Sequence, residues 1–264
     1  FWKEAKQFNT TAFVYVGELC RYLSFQDPSE EEKDNPISSM VGNGLRPDLW
    51  DCFRNRFNVE RIVEIYGASE GNALFMNLLN KDETIGMTNA RVALFEYDVA
   101  EDKLVKDTES KFIEVGEGQP GLLLVEIGPD AIYNGYTDKK ASEEKVISNV
   151  FEEGDRWFNT GDLVKTMDVG FSLGRAHYQF VDRVGDTFRW KSENVSTNEV
   201  AEILNAFEQV NMANVFGVKV PQSEGRAGMV AFNCNLDDFK WYEFAEFVSV
   251  KLPSYAQPVF IRII

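Results

Sequence analysis

Arg61-Ile62-Val63-Glu64-Ile65-Tyr66 runs directly into Gly67-Ala68-Ser69-Glu70-Gly71-Asn72. The first six residues read as a β-strand, and the next six read as a turn that carries small and polar groups. A ligand at the carboxyl end of a strand is the expected arrangement of an open α/β sheet. Tyr66 offers a ring face to a planar base, and Gly67 lets the chain turn. Ser69 has a hydroxyl to give to a phosphate oxygen. Glu70 has the hard oxygen donors that Mg²⁺ prefers. An ordinary strand-end turn with a solvated glutamate is the alternative at this point.

The sequence upstream repeats the alternation. Residues 11–16 (TAFVYV) are a short apolar run that predicts a buried strand, and residues 18–25 predict a short helix. Residues 27–36 form a charged loop bounded by prolines. Residues 37–41 lead into the turn Gly42-Asn43-Gly44, where the backbone can approach a ligand closely. Pro47 opens a helix that is expected to run to Phe57, since proline is tolerated at a first helical position. Strand, helix, strand, helix, strand argues for α/β architecture with a mainly parallel sheet. Beyond Gly71 the texture becomes β-rich, with strands expected over 92–97 and 122–127 and an amphipathic helix over 138–150. From Gly185 a small α+β unit follows. Ser196-x-x-Glu199 is a capping box ahead of a helix over 197–207. Strands are expected over 215–220 and 228–233, then a helix within 236–252.

Two later segments carry chemistry-bearing residues. Phe158-Asn159-Thr160-Gly161-Asp162-Leu163 contains an aspartate able to accept two neighbouring hydroxyls, although the triplet 160–162 also suits a polar hairpin turn. Phe180-Val181-Asp182-Arg183-Val184-Gly185-Asp186-Thr187-Phe188-Arg189-Trp190-Lys191 is denser in charge and aromatics than a solvated loop.

Taken in order, these segments resemble the second half of the adenylate-forming (AMP-binding) enzymes, in the branch of very-long-chain acyl-CoA synthetases and fatty acid transport proteins. The resemblance implies the C-terminal part of a large α/β domain with a β-rich subdomain (1–184), followed by a small α+β domain (185–264). It implies that Gly42, Asn43, Gly44, Tyr66 and Gly67 surround the adenine of ATP or AMP, and that Asp162 and Arg183 hold the ribose. It makes Ser69 and Glu70 catalytic, with Glu70 on Mg²⁺, and Gly185 the hinge between the domains. Arg189, Lys191 and Ser192 would face coenzyme A. The family usually has glycine where Ser192 stands, and a side chain there would narrow the pantetheine path. Glu199 matches a small-domain signature, but its position also explains it as a helix cap.

The implied reaction joins a fatty acid to AMP, then passes the acyl group to coenzyme A. Fatty acid, ATP and coenzyme A are the expected ligands. The expected setting is cytoplasmic, compatible with peripheral association with a membrane. The family's phosphate loop lies upstream of the matching region and its catalytic lysine downstream. Lys251, inside the last expected helix, is no substitute. This chain alone is therefore expected to have negligible synthetase activity. A non-catalytic or degenerate nucleotide-binding module, and an adenylating enzyme with another acyl acceptor, are the competing readings.

Composition narrows the field further. The 264 residues carry a formal net charge of −16, which disfavours nucleic acid as a partner. Hydrophobic residues make up 44% and aromatics 13%, enough to fill a core. Cys20, Cys52 and Cys234 are far apart and odd in number, which suits a reduced, intracellular setting. No apolar run reaches the ~20 residues of a membrane span. His177 is the sole histidine, so neither a Ser-His-Asp triad nor a His-based zinc site can be assembled. It falls in the stretch 171–179, which reads as a hairpin with His177 on the surface.

Overall fold

The computed structural model describes residues 1–67, 73–99, 101–129, 131–135, 139–191, 193–221, 223 and 225–264. Helix α1 (Trp2–Gln7) leads to β1 (Ala12–Val16), α2 (Gly17–Ser24), the single turn α3 (Glu30–Lys33), β2 (Ser39–Asn43) and α4 (Pro47–Asp51). A π-helical turn, Cys52–Arg56, follows α4, and then come β3 (Arg61–Gly67) and β4 (Leu74–Met76). Strands β1, β2 and β3 pair in parallel, with Ala12 opposite Ser39 and Ser39 opposite Arg61; β4 closes the sheet antiparallel to β3. Trp2, Met40, Trp50, Phe53, Phe57 and Ile62 form the core beneath it.

The mainly parallel sheet is thus the one that the strand–helix alternation predicts, with three local differences. β1 is an edge strand rather than a buried one: Tyr15 faces the core while Val14 and Val16 are exposed. The helix opened by Pro47 widens into π geometry after Asp51 instead of staying α-helical to Phe57. Gly42 and Asn43 belong to β2 and not to a turn. A Cβ on Gly42 would stand 2.0 Å from the Tyr15 carbonyl oxygen, so glycine is required there by the close approach of β1.

The middle of the chain is antiparallel. It contains β5 (Val92–Phe95), the small hairpin β6 (Tyr97–Asp98) and β7 (Lys103–Leu104), β8 (Gly121–Glu126), α5 (Lys139–Glu144), β9 (Val146–Ser148), β10 (Arg156–Met167) and β11 (His177–Arg183). The sheet order is β11-β10-β8-β5, with β9 also on β10. Both faces of this sheet are covered. Leu123 and Val125 pack into one core and Leu122 and Leu124 into another, as the two-residue period of a strand requires. The helix expected over 138–150 is cut short because residues from Val146 pair with β10.

His177 differs from its expected surface position. The hairpin turn ends at Ala176, so His177 is the first residue of β11, fully buried opposite Met167. Its Nδ1 lies 3.2 Å from the Arg175 carbonyl oxygen.

The last section contains the hairpin β12 (Phe188–Trp190) and β13 (Glu193–Val195), α6 (Thr197–Asn205), β14 (Met212–Val218), β15 (Ala227–Asn233), α7 (Trp241–Lys251) and β16 (Phe260–Ile263). Strand β15 lies between β14, antiparallel, and β16, parallel. Phe188, Leu204, Val230, Phe232, Phe244 and Val248 belong to its separate core. The serine half of the expected capping box is present, since Ser196 Oγ accepts from the Glu199 amide at 3.2 Å.

Candidate functional site

The carboxyl ends of β1, β2 and β3 open onto a cavity of about 1020 Å³, whose opposite wall is the middle of β10 and the end of β11. This is where a parallel sheet presents its loop ends and leaves backbone groups unpaired by neighbours. Residues of α6 reach the rim, so three parts of the chain meet at this cavity.

A bulge in β10 gives the wall its chemistry. The pairing of β10 with β8 slips between Asn159 and Leu163, and Gly161 takes up the slip with φ of +77°. The amides freed by the bulge are satisfied locally: the Gly161 amide donates to Asn159 Oδ1 at 2.9 Å, and the Asp162 amide to Thr160 Oγ1 at 3.1 Å. Bulges re-aim side chains, and this one places Asp162 opposite Arg183 of β11. Arg183 Nε stands 3.6 Å from Asp162 Oδ1, and the Tyr66 hydroxyl donates to Asp162 Oδ2 at 2.6 Å. Burial first, and then the Asp162 charge, push the Tyr66 hydroxyl far above its ordinary pKa, so it remains a donor at any physiological pH. Asp162 is largely buried while the Arg183 side chain is 72% exposed, so the guanidinium is open to a ligand.

Tyr66, Gly67, Asp162, Arg183 and Gly185 therefore share one cavity with Asn43 and Gly44. Gly42 does not line it. Ser69, Glu70 and Ser192 lie outside the described residues. Arg189 lines a second cavity of about 980 Å³, where Lys219 and Arg226 also contribute. Its guanidinium pairs with Asp98 at 3.1 Å. Lys191 sits at the tip of the β12–β13 hairpin with φ of +52°, lining neither cavity. The two cavities share Lys145, Gly161 and Gly185.

Two carboxylates escaped the sequence reading. Glu64 interrupts the apolar run of β3, which was the available signal. It is buried, and it accepts from the Tyr15 hydroxyl and from the amides of Gly44 and Leu45, the latter at 3.2 Å. Burial pushes its carboxyl up to about 7, with the three donors acting in the opposite direction. Asp182, also buried, reaches from β11 to the start of α6. Its Oδ2 accepts from Ser196 Oγ at 2.9 Å and the Thr197 amide at 2.8 Å, and its Oδ1 accepts from Asn198 Nδ2 at 2.7 Å. An anion at a helix N-terminus meets both unpaired amides and the positive end of the helix dipole. Asp182 thus ties the third section of the chain to the second.

No family model matches the chain. Individual relatives do. Medium/long-chain-fatty-acid–CoA ligase FadD6 of Mycobacterium tuberculosis is 42% identical over 265 residues, an alignment covering 100% of this chain and 43% of that protein. The chain is a homologue of the fatty-acid–CoA ligases and fatty acid transport proteins. Long-chain fatty acid transport protein 6 of Mus musculus is 40% identical over 274 residues, with 100% of this chain and 43% of the relative covered. The chain thus spans less than half the length of these curated relatives. Among solved structures, the anthranilate CoA ligase AuaEII in complex with anthranoyl-AMP superposes with a TM-score of 0.72 at 15% identity, over 100% of this chain and 48% of that one. The amide bond synthetase McbA from Marinactinospora thermotolerans gives 0.70 at 18%, over 100% and 50%. These likenesses establish the fold, a mixed α/β arrangement shared with about half of each enzyme.

Proposed function

We propose that this chain is the nucleotide-holding part of an ATP-dependent long-chain or very-long-chain fatty acyl-CoA synthetase. The observation that carries the proposal is the Tyr66–Asp162–Arg183 constellation at the carboxyl ends of parallel strands. Asp162, oriented by the Tyr66 hydroxyl, would accept from the ribose hydroxyls. Arg183 approaches the same sugar from the exposed side. Asn43, Gly44 and Tyr66 form the adenine end of the cavity. In the reaction so proposed, a fatty carboxylate oxygen attacks the α-phosphorus of ATP and pyrophosphate leaves. The thiolate of coenzyme A then attacks the acyl carbonyl carbon, and AMP leaves with the electron pair of the broken C–O bond.

Several finer assignments rest on the resemblance. Ser69 would donate to a phosphate oxygen and Glu70 would hold Mg²⁺. Among the described residues there is no cluster of three acidic, histidine or cysteine side chains that could hold a metal, and Glu70 lies outside those residues. Division into domains at Gly185, with that glycine as hinge, belongs to the same proposal. It is supported by the separate core of the last section and by the open space around Gly185, where a Cβ would meet nothing within 4 Å. Arg189 in the second cavity is the candidate for contact with coenzyme A. Among the described residues no helix is long and apolar enough to cross a membrane. We place the enzyme in the cytoplasm, with peripheral attachment to a membrane as the route to its lipid substrate.

Calorimetric titration of AMP into the wild-type chain and into Asp162→Ala tests the reading. Loss of one charge-assisted ribose contact should weaken AMP by roughly 10–100-fold. Equal affinities for the two proteins would remove Asp162 from the site.

A further inference from the structure

The cavity that opens at the ends of β1–β3 is surrounded by an excess of carboxylates. Glu18, Glu64, Glu83, Asp162, Asp186 and Glu202 line it, against the three cations Arg46, Lys145 and Arg183. Two of these cations are already engaged. Arg46 Nε is 3.2 Å from Asp48 Oδ1 and 3.8 Å from Glu202 Oε1, and Arg183 pairs with Asp162. Among the described residues Lys145 forms no ion pair. A ligand bearing phosphate would enter a field of net negative sign, so an unengaged ammonium has a large effect on which ligands are retained.

The backbone fixes where that ammonium stands. Lys145 lies between α5 and β9, and its carbonyl oxygen accepts from the Asn159 amide at 2.8 Å. The next residue, Val146, pairs with Phe158. Lys145 is therefore set against the bulge of β10. Its Nζ lies 3.3 Å from the position a Cβ on Gly161 would occupy, next to Asp162 in the chain. Gly161 clears the space through which the ammonium reaches the wall shared by the two cavities. A phosphate esterified to the 5′ carbon of a ribose held by Asp162 lies within a few ångströms of that sugar, and Lys145 lines the same cavity as Asp162.

We infer that Lys145 is a positioning residue that binds the 5′-phosphate of the nucleotide seated on Asp162. The inference rests on the nucleotide reading of the cavity proposed above. It separates Lys145 from the ribose and adenine contacts, because only ligands with a phosphate should sense it. The test is calorimetric titration of AMP and of adenosine into the full chain and its Lys145→Gln and Lys145→Arg variants. Roughly tenfold weaker AMP binding is expected for Lys145→Gln, at the lower end for a hydrogen bond to a charged group made by a flexible side chain. Adenosine affinity should be unchanged, and Lys145→Arg should recover most of the AMP affinity. Equal AMP affinity in wild type and Lys145→Gln overturns the inference while leaving the nucleotide reading intact. Parallel losses for AMP and adenosine also overturn it, assigning Lys145 to the shape of the bulge. Failure of the wild type to bind either ligand overturns both readings together.

Discussion

Removing the Asp182 carboxylate should cost the protein far more than a helix cap normally does. Asp182→Ala deletes the acceptor for the Thr197 amide, Ser196 Oγ and Asn198 Nδ2, all within 2.9 Å. It also frees the Arg183 amide, which donates to Oδ1 at 2.8 Å. Loss of an N-terminal cap costs about 1 kcal/mol. Thr197 is buried, and each buried donor left without an acceptor adds about 1–3 kcal/mol. Against this stands relief from burying an unpaired carboxylate, which is expensive when poorly solvated. Here donors from Arg183, Ser196, Thr197 and Asn198 replace its hydration, so the relief is the smaller effect. The expected net loss is about 3–5 kcal/mol in urea unfolding. Asp182→Asn should recover less than half, because its NH2 group would face donors in either orientation, Ser196 Oγ and the Thr197 amide on one side or the Arg183 amide and Asn198 Nδ2 on the other. Hydrogen exchange should report where the loss falls, with the amides of Thr197 and Asn198 exposed well before those of β8. A loss below about 1 kcal/mol for Asp182→Ala, or one spread evenly over both sections, would refute the reasoning.

Other substitutions test different parts of the structure. Glu202 of α6 lies near Asp48 and Arg46, and burial, then the Asp48 charge, push its carboxyl up from 4.5 to about 7. The folded chain therefore holds that proton more tightly than the unfolded chain. Its contribution is fully present below pH 4.5 and is lost as pH rises through about 7, with a ceiling of about 3 kcal/mol. Urea midpoints at pH 5 and pH 8 should differ less in Glu202→Gln than in wild type; an unchanged difference would contradict the shift. Gly42→Ala should destabilise by about 2 kcal/mol or more, since overpacking against backbone cannot relax cheaply; wild-type thermal stability would show that β1 can move aside. Gly185→Ala should leave urea stability within about 0.5 kcal/mol of wild type, because nothing surrounds that Cβ position. A larger loss would assign the glycine to static packing and away from a hinge.

The fold was legible where local pattern and long-range pairing agree. Residues 61–67 announced their strand through Ile62, Val63 and Ile65, and the 196–199 capping box marked the start of α6. The candidate site residues were singled out by resemblance and by no local pattern of their own: Tyr66, Asp162 and Arg183 are remote in sequence, and the fold brings them around one carboxylate. What stayed hidden depends on partners that no local window contains. Whether 11–16 is buried depends on its place in the sheet order. The helix expected over 138–150 looked amphipathic, yet pairing with Phe158 claims Val146 for a strand. His177 sits one residue past a turn whose length the sequence does not specify. Asp182 reads as half of a charged motif, and its role as a helix cap appears only when β11 is laid beside α6.

Strand β8 sets an order of events during synthesis. Leu122, Leu123, Leu124 and Val125 are fully buried, because β5 and β10 flank the strand and side chains cover both faces of the sheet. The ribosome releases β5 before β8 but β10 after it, with α5 and β9 in between. Until Trp157 and Phe158 emerge, the four aliphatic residues have a neighbour along one edge only. That interval exposes a short, uncharged, β-prone segment of the kind that chaperones capture and that pairs with copies of itself. Slowing translation between residues 126 and 156 should therefore lower the soluble yield, while the finished protein shows no trace of the hazard.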